Sequence, residues 1–405
     1  MSKLLFLVFA SVFFLGCLQS QGVGENPVPT LIKGRMVVEP TAVLTPVPSP
    51  TEMMAYEREE EVEMPPVSAP VVTPVPEVEP EVMVTNGVRH IIGLDELLDG
   101  GPGKDGIPSI DNPKFVFPSQ ADWLSDDELV LGLELEGISK AYPLQIMDWH
   151  EIVNDVFKTI PVAITYCPLC GSGMAFDRNV NGSVVEFGVS GKLYQSDLVM
   201  FDRKTDTYYS QITGQAVVGP LVPLKLKRIP LQTVAWGQWK ETHPKTKVLS
   251  RQTGFDRPYG VYPYGSYETN SRIIFPVKSR SEVLHPKERV IGVSIGNFFK
   301  AFVEKKLPVV LNDELAQTKI VVLRNPSSDE VAVFKRTASD GLGLELAWDG
   351  EVLFDRQTKS SWTFEGKAID GQLQGEELEQ LVHENLFWFA WYTFHPTTLV
   401  LGVEE

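Results

Sequence analysis

Cys167 and Cys170 occur three residues apart in the segment ITYCPLCGSG. Two thiolates at this spacing can face one metal ion, and Gly171 relieves crowding where the chain turns after the second thiolate. A full zinc ribbon needs a second such pair, but the only other cysteine in the sequence is Cys17. A metal site here must therefore be completed by other side chains, or it keeps an open coordination position.

His150 is the leading candidate for a third ligand. It lies in the segment MDWHEIVND, 17 residues before Cys167 (167 − 150). Two thiolates and an imidazole suit Cu(I) or Zn(II), and Met174 or water would complete the coordination sphere. The sequence therefore predicts a copper or zinc site, whereas the alternative for His150 is an ordinary packed or capping role.

Two other functions fit the cysteine pair. A Cys-X-X-Cys pair can exchange disulfides, because this arrangement can lower the pKa of its first thiol. Thioredoxin-type pairs begin a helix, however, and GSGMAFDR after Cys170 predicts a turn and a strand. A structural disulfide or zinc clip in a binding protein is the third alternative, although so short a disulfide loop contributes only about 2 kcal/mol. These functions stay open, as does the question of whether the protein is an enzyme.

A second segment repeats the landmarks around the cysteines but lacks the cysteines. FDRKTDTYYSQITGQAVVGPL from Phe201 aligns with FDRQTKSSWTFEGKAIDGQL from Phe354, and WGQWKETHP from Trp236 aligns with WFAWYTFHP from Trp388. Residues present in both copies are expected to be scaffold, and chemistry found in one copy is the better candidate for function. This comparison favours Cys167, Cys170 and His150, since the second copy has VVLND where His150 would lie.

Four further residues occur only in the first copy, where the second has AWDGE: Tyr194, Gln195, Ser196 and Asp197. They line the same cleft as the cysteines in one interpretation, and form a polar hairpin end in the other. The tyrosines of YGVYPYGSY, which starts at residue 259, either cover a ligand or pack between the two copies.

The first 17 residues predict a signal peptide, with Lys3, an apolar run over residues 4–14, and Gly16 directly before Cys17. The small residue before cysteine is typical of a lipoprotein cleavage site. We expect a lipid on Cys17 to anchor an extracytoplasmic protein to the membrane. A plain signal peptide or an uncleaved anchor is the alternative.

Residues 18–83 predict a disordered tether between this anchor and the body. They contain twelve of the thirty prolines, and their eleven glutamates against three lysines or arginines give a local charge of −8 (3 − 11). Such a segment has no periodic apolar face and repels itself, so it is expected to stay extended and to be dispensable for folding.

The body, residues 84–405, is predicted to be α+β and strand-rich. Copy one covers about 127–250, a bridge 251–286, and copy two about 287–402. Hairpins are expected at Glu136-Gly137 and Asn181-Gly182, and a buried strand at PVAITY. Helices are expected in IIGLDELLDG, in QIMDWHEIVNDVF, and in TVAWGQWKETHP, where Pro244 stops the helix.

Charge excludes one class of partner. The formal net charge is −17, and a nucleic-acid partner requires a cationic surface, so none is expected. The sequence contains no phosphate-binding glycine loop, nucleophile elbow or paired-histidine zinc-protease motif. A protein or small-molecule partner is not identified by the sequence.

Five strings of the sequence together resemble one family. They are WHEIVND, ITYCPLCGSGMAFDR, VSGKLYQSDLVMFDR, PYGSY and HPKERVIGV, and the family is the domain of unknown function numbered 3179. The resemblance covers roughly residues 87–402. Such proteins look like extracytoplasmic or membrane-attached proteins of bacteria and archaea. Because the resemblance implies no activity, the functional hypothesis depends on the chemistry of the residues.

His243 and His395 are predicted to be scaffold residues, since each precedes proline at the end of a Trp-containing segment in its copy. Glutamine at either position should leave bound metal and thiol reactivity unchanged, and should lower the free energy of unfolding by at most ~1–2 kcal/mol. Elemental analysis, thiol titration and thermal melts of the two variants test this. Loss of metal in either variant would contradict the scaffold role.

Overall fold

The computed structural model describes residues 80–402. The predicted signal peptide, the predicted lipidation site Cys17 and residues 18–79 of the predicted tether lie outside this range. Within it the chain forms many short strands and three α-helices, which confirms the strand-rich α+β prediction. No helix of the described part is both long enough and apolar enough to cross a bilayer.

The elements of the described chain follow in order. The strands before residue 251 are β1 (Met83–Thr85), β2 (Val88–His90), β3 (Leu98–Asp99), β4 (Phe115–Val116), β5 (Leu129–Leu135), β6 (Ile138–Pro143), β7 (Ile152–Phe157), β8 (Ile160–Cys167), β9 (Ser172–Asp177), β10 (Asn179–Val180), β11 (Ser183–Val184), β12 (Phe187–Tyr194), β13 (Asp197–Asp202), β14 (Tyr208–Ser210), β15 (Ala216–Val218), β16 (Arg228–Ile229), β17 (Gln232–Ala235) and β18 (Lys247–Leu249). Those after residue 286 are β19 (Arg289–Ile295), β20 (Phe298–Val303), β21 (Val310–Leu315), β22 (Thr318–Arg324), β23 (Val331–Lys335), β24 (Leu346–Trp348), β25 (Leu353–Asp355), β26 (Ser361–Trp362), β27 (Ala368–Asp370), β28 (Gln380–Leu381), β29 (His383–Phe387) and β30 (Leu399–Leu401). The α-helices are α1 (Leu144–His150), α2 (Trp236–Thr242) and α3 (Trp388–Phe394), and short 3₁₀ turns lie at Leu94–Glu96, Pro118–Gln120, Tyr267–Thr269 and Glu304–Lys306.

The strands on either side of the bridge follow corresponding orders. The order β17-β5-β6-β18 corresponds to β29-β19-β20-β30, and β16-β9-β8-β7 to β28-β23-β22-β21. In the same way β15-β14-β13-β12 corresponds to β27-β26-β25-β24. Strand β18 runs parallel to β6, and β30 runs parallel to β20, whereas the other pairs of these sheets are antiparallel. The small β10-β11 ladder, β1 to β4 and the bridge lie outside this correspondence.

Buried ion pairs occupy matching places in the two halves. The Lys140 ammonium donates to both oxygens of Asp155, at 2.9 and 2.8 Å, and Lys300 donates to Asp313 at the same two distances. Each lysine extends from the second strand of a hairpin to the strand that follows. Because the carboxylate partner and further hydrogen bonds satisfy the buried ammonium, both pairs fix the angle between successive sheets.

Tryptophan packs on glycine in both halves. The Trp239 ring covers Gly132 of β5, and the Trp391 ring covers Gly292 of β19. Both indole N–H groups donate to a threonine seven residues later, Thr246 or Thr398, at 2.8 Å. Glycine is required at the two strand positions, because any Cβ would occupy the space of the indole.

Local signals in the sequence predict most turns correctly. Glu136-Gly137 and Asn181-Gly182 form left-handed turn pairs between β5 and β6 and between β10 and β11. The segment PVAITY lies in β8, and α2 ends before His243, as expected for a helix followed by proline. The body begins slightly earlier than residue 84, because β1 already includes Met83.

Two helix predictions need correction. The helix in QIMDWHEIVNDVF ends at His150, because Glu151 takes a left-handed conformation (φ 58°) and Ile152–Phe157 continue as β7. The β-branched residues Ile152, Val153 and Val156 in this stretch fit a strand better than a helix. The segment IIGLDELLDG forms only one 3₁₀ turn, at Leu94–Glu96, followed by β3.

Alanine at Gly132 or Gly292 should destabilise the protein. A Cβ at Gly132 would lie 2.5 Å from the Trp239 ring, and one at Gly292 would collide with Trp391. We expect each substitution to lower the free energy of unfolding by about 1–3 kcal/mol. Urea unfolding measures this, with Gly103→Ala as the control, because a Cβ there meets no atom within 4 Å. Equal stability of all three variants would contradict the packing argument.

Candidate metal centre

The two cysteines lie at the tip of the β8–β9 hairpin. Cys167 ends β8 and pairs with Ser172 across the ladder, and the Cys170 N–H donates to the Cys167 carbonyl at 3.1 Å. Gly171 completes the turn at φ 60°. A turn followed by a strand is what GSGMAFDR predicts, so the pair lacks the helix N-terminus that activates thioredoxin-type cysteines.

Residues from the second half hold this turn. The Phe387 N–H donates to the Cys170 carbonyl at 2.9 Å, and the Arg289 guanidinium donates to the Gly171 carbonyl at 3.3 Å. A Cβ at residue 171 would lie 3.0 Å from the Phe387 ring. Glycine is therefore required both for the left-handed turn and for the close contact with β29.

Asp197 joins the two thiols. The Cys167 and Cys170 sulfurs and one Asp197 carboxylate oxygen lie within 4.8 Å of one another, and all three residues are buried. Asp197 begins β13 directly after Gln195 and Ser196, which both have positive φ and form the tight turn from β12. The hairpin turn thus places a carboxylate beside cysteines that precede it by about 30 residues in the chain (197 − 167).

One Asp197 oxygen has no protein partner. Oδ2 accepts the Ile212 N–H at 3.0 Å and the Ser210 hydroxyl at 3.3 Å, but Oδ1 is buried without a hydrogen bond. Burial raises the pKa of Asp197 to about 7. Buried carboxylate oxygens without partners are rare in folded proteins, so this atom is available to a proton or a metal ion.

Two buried hydroxyls near the thiols also lack hydrogen bonds. They are Ser196 Oγ and Tyr267 Oη. The Ser196 carbonyl accepts a hydrogen bond from the Cys170 thiol at 3.4 Å. Burial raises the pKa of Tyr267 and the two cysteines raise it further, which places its hydroxyl near them. The surroundings of the sulfurs therefore contain three oxygen atoms without partners, counting Asp197 Oδ1.

Burial keeps the Cys170 thiol protonated. It raises the pKa of Cys170 well above that of an ordinary thiol, and Cys167 and Asp197 raise it further, while the Lys287 ammonium opposes them. Burial also lowers the pKa of Lys287 to about 8, and its ammonium lies 3.4 Å from the centre of the Tyr267 ring. Because thiol exchange requires an exposed thiolate, this environment disfavours the redox alternative.

His150 is not part of this group. Its Nδ1 lies 2.7 Å from the Pro108 carbonyl oxygen and its Nε2 lies 2.6 Å from the Tyr259 hydroxyl. A carbonyl can only accept, so Nδ1 carries the proton and Nε2 accepts from Tyr259. Both ring nitrogens are therefore engaged, and the third residue at the thiols is Asp197 instead of the predicted His150.

The four predicted cleft residues at the β12–β13 turn, Tyr194 to Asp197, divide into two pairs. Ser196 and Asp197 border the thiols, as described above. Gln195 Oε1 accepts the Lys278 N–H at 2.6 Å, and the Tyr194 ring packs edge-on against Phe394 at 5.9 Å. Gln195 and Tyr194 thus hold the bridge and α3, and none of the four lines the cleft described next.

A cleft of about 390 Å³ adjoins the group. Its lining includes Cys167 together with Asp148 and Glu151, which flank His150 at the end of α1. Burial raises the pKa of Asp148 to about 8, assisted by Glu268, and it raises that of Glu151 to about 8, assisted by Asp197 and Asp148. Sequence reasoning missed these two carboxyl groups, although they stand in the same MDWHEIVND segment that suggested His150.

Comparison with known proteins identifies a family but no activity. A family model described as "Protein of unknown function (DUF3179)" matches residues 104–398. No curated protein and no solved structure matches the chain.

Replacing Glu151 by glutamine should make the free energy of unfolding less dependent on pH. The folded-state pKa of Glu151 is about 8, against an ordinary value of 4.5, so the folded chain retains a proton that the unfolded chain releases between these pH values. Stability due to this group is full below about pH 4.5 and is lost as the pH rises towards 8. Glu151→Gln should therefore raise the free energy of unfolding at pH 8 by at least about 1 kcal/mol, and much less at pH 5.

Chemical unfolding of wild type and variant at several pH values measures this difference. Glu241→Gln is the control, because residue 241 is exposed at the end of α2. We expect the difference in free energy of unfolding between variant and wild type to increase with pH for Glu151→Gln and to stay constant for Glu241→Gln. A difference between Glu151→Gln and wild type that does not change with pH would contradict the assignment of a buried, protonated Glu151.

Proposed function

The chain belongs to the DUF3179 family, to which no activity is attached, and we propose its function from the site. In this proposal the protein binds one transition-metal ion through Cys167, Cys170 and Asp197. The observation that carries this proposal is the group of two sulfurs and one carboxylate oxygen within 4.8 Å of one another. Such a set supplies three ligands of a tetrahedral site, with the fourth position left to water or a nearby hydroxyl.

Zinc suits this donor set better than copper. Zn(II) accepts both thiolate and carboxylate ligands, whereas Cu(I) prefers soft sulfur ligands. Charge gives a second reason. Two thiolates and a carboxylate carry three negative charges, and Zn(II) together with the Lys287 ammonium balances them, while Cu(I) would leave one negative charge unbalanced inside the protein.

A structural zinc clip is the second candidate function. The hydrogen bonds from Phe387 and Arg289 to the cysteine turn favour it, because an ion there would lock the turn against the second half. Cys167 also lines the cleft, however, so a bound ion would lie at the wall of a space large enough for a small molecule. A structural ion should dominate stability, whereas an ion that serves the cleft should change ligand binding.

The two halves are further proposed to be copies of one unit, covering about 127–250 and 287–402. The corresponding strand orders support this origin, as do the repeated Lys–Asp pairs and the repeated packing of tryptophan on glycine. In this view the first copy carries the metal ligands, and the second copy has become the frame against which they pack.

Export and membrane anchoring through Cys17 are proposals that rest on residues 1–17 alone. If Cys17 is lipidated, Cys167 and Cys170 are the only thiols of the mature chain. That location would leave the pair without a reducing cytosol, so a bound metal ion would also protect the two thiols from forming a disulfide.

Zinc titration of the reduced protein tests the metal site. Wild type should bind one Zn(II) per chain more tightly than micromolar, and Cys167→Ser and Cys170→Ser should each abolish this binding. Asp197→Asn should weaken it at least about tenfold, because the amide lacks the negative charge. His150→Gln is the matched control and should bind as wild type does, since its ring nitrogens are occupied elsewhere.

Affinity should decrease as the pH falls. The metal must displace protons from groups whose pKa is raised, about 7 for Asp197 and higher than usual for Cys170. Zinc affinity should therefore fall with decreasing pH already above pH 7, because the Cys170 thiol must lose its proton, and should fall more steeply below about pH 7, where Asp197 is protonated as well. Failure of both Zn(II) and Cu(I) to bind, together with ready oxidation to a disulfide, would favour the redox alternative. Inert thiols in both assays would favour a purely structural pair.

A further inference from the structure

The cleft beside the cysteines is lined by two carboxyl groups and a guanidinium that do not pair with one another, and an ammonium group bound at the carboxyl side would favour the loss of a carboxyl proton there. Glu151 and Asp148 line it, and so does Arg257 from the bridge. Within residues 80–402 none of the three side chains takes part in an ion pair or a hydrogen bond. Charged groups in a cleft that the protein leaves unpaired are available to a ligand.

The acidic side of the cleft is buried. Glu151 is only 6% exposed, and it caps α1 in a left-handed conformation, which a non-glycine residue adopts at a cost. This conformation directs the chain out of the helix and into β7. A carboxyl group that is more than nine-tenths buried and lacks a partner is costly, so an incoming ammonium group would be strongly favoured there.

The basic side lies on the bridge. The Nε of Arg257 is buried and has no hydrogen-bond partner. A planar guanidinium with free N–H groups is the side chain best suited to hold a carboxylate through two parallel hydrogen bonds.

Apolar side chains line much of the space between these groups. They include Leu193 and Leu198 from the β12–β13 hairpin, Tyr264 and Phe275 from the bridge, and Leu169 from the cysteine turn. An apolar body with opposite charges at its ends would bury its surface against these side chains.

We propose that this cleft binds a short apolar peptide with free termini, with its ammonium group at Glu151 and Asp148 and its carboxylate at Arg257. A short apolar peptide supplies both terminal charges together with an apolar body large enough to cover the lining side chains, which a single small amino acid does not. A volume of about 390 Å³ limits the ligand to a few residues. The proposal does not depend on metal at Cys167 and Cys170, although a bound ion would lie beside the peptide.

Calorimetric titration of the whole protein with three probes tests this inference. The probes are L-leucyl-L-leucine, its C-terminal amide and its N-acetyl derivative. The free dipeptide should bind at least about tenfold more tightly than either blocked form, because each blocked form loses one charged contact.

Two substitutions assign the two ends. Glu151→Gln should weaken binding of the free dipeptide about tenfold but leave the N-acetyl form unchanged, since that form has no ammonium group. Arg257→Gln should weaken the free dipeptide similarly and leave the amide unchanged. Arg280→Gln is the matched control, because residue 280 is exposed on the bridge and does not line the cleft. Thermal melts establish that each variant is folded, and Asp148→Asn replaces Glu151→Gln if the latter is unfolded.

Titrations of Cys170→Ser and of protein treated with a chelator separate this inference from the metal proposal. The dipeptide should still bind in both, so a protein that binds no zinc can nevertheless satisfy the peptide prediction. The inference is overturned if none of the three probes binds at millimolar concentration, or if all three bind equally. It is also overturned if neither Glu151→Gln nor Arg257→Gln changes the affinity for the free dipeptide.

Discussion

The site depends on one constraint, the burial of a carboxylate beside two thiols. Asp197 has lost contact with solvent, and only one of its oxygens is hydrogen-bonded by the protein. Leaving the other oxygen unpaired costs about 1–3 kcal/mol. A proton offsets this cost in the metal-free protein, and a metal ion shared with the sulfurs would offset it more fully. The raised pKa values of Asp197 and Cys170 are consequences of this burial, and the nearby Lys287 ammonium opposes the shift of Cys170.

Burial of this kind requires support from the rest of the chain, and the second half of the body provides it. Backbone and side-chain donors from β29 and β19 satisfy the carbonyls of the cysteine turn, and the Phe387 ring closes over Gly171. The second half contains no cysteine of its own. Its contribution is therefore mechanical, because it holds the two thiols and Asp197 of the first half in a buried and rigid environment.

The bridge connects the candidate metal centre to the cleft. The Tyr267 hydroxyl lies near the sulfurs, and Tyr264 and Arg257 line the cleft. The Tyr259 hydroxyl donates a hydrogen bond to His150. His150 thus serves to position the bridge over the end of α1, where Asp148 and Glu151 lie. An ion at the cysteines and a ligand in the cleft would share these neighbours, so each is expected to influence the other through them.

The sequence by itself determined the features that depend on neighbouring residues. The cysteine spacing predicts the tight turn, the Glu136-Gly137 and Asn181-Gly182 pairs predict hairpins, and proline after His243 predicts the end of α2, because each is set by local backbone preferences. Only the tertiary structure decided which residue joins the thiols. Asp197 reaches them through the pairing of β12 with β13, while hydrogen bonds to the bridge and to Pro108 hold His150 elsewhere. Residue type and spacing could not distinguish the two, because long-range packing determines which buried side chains come together.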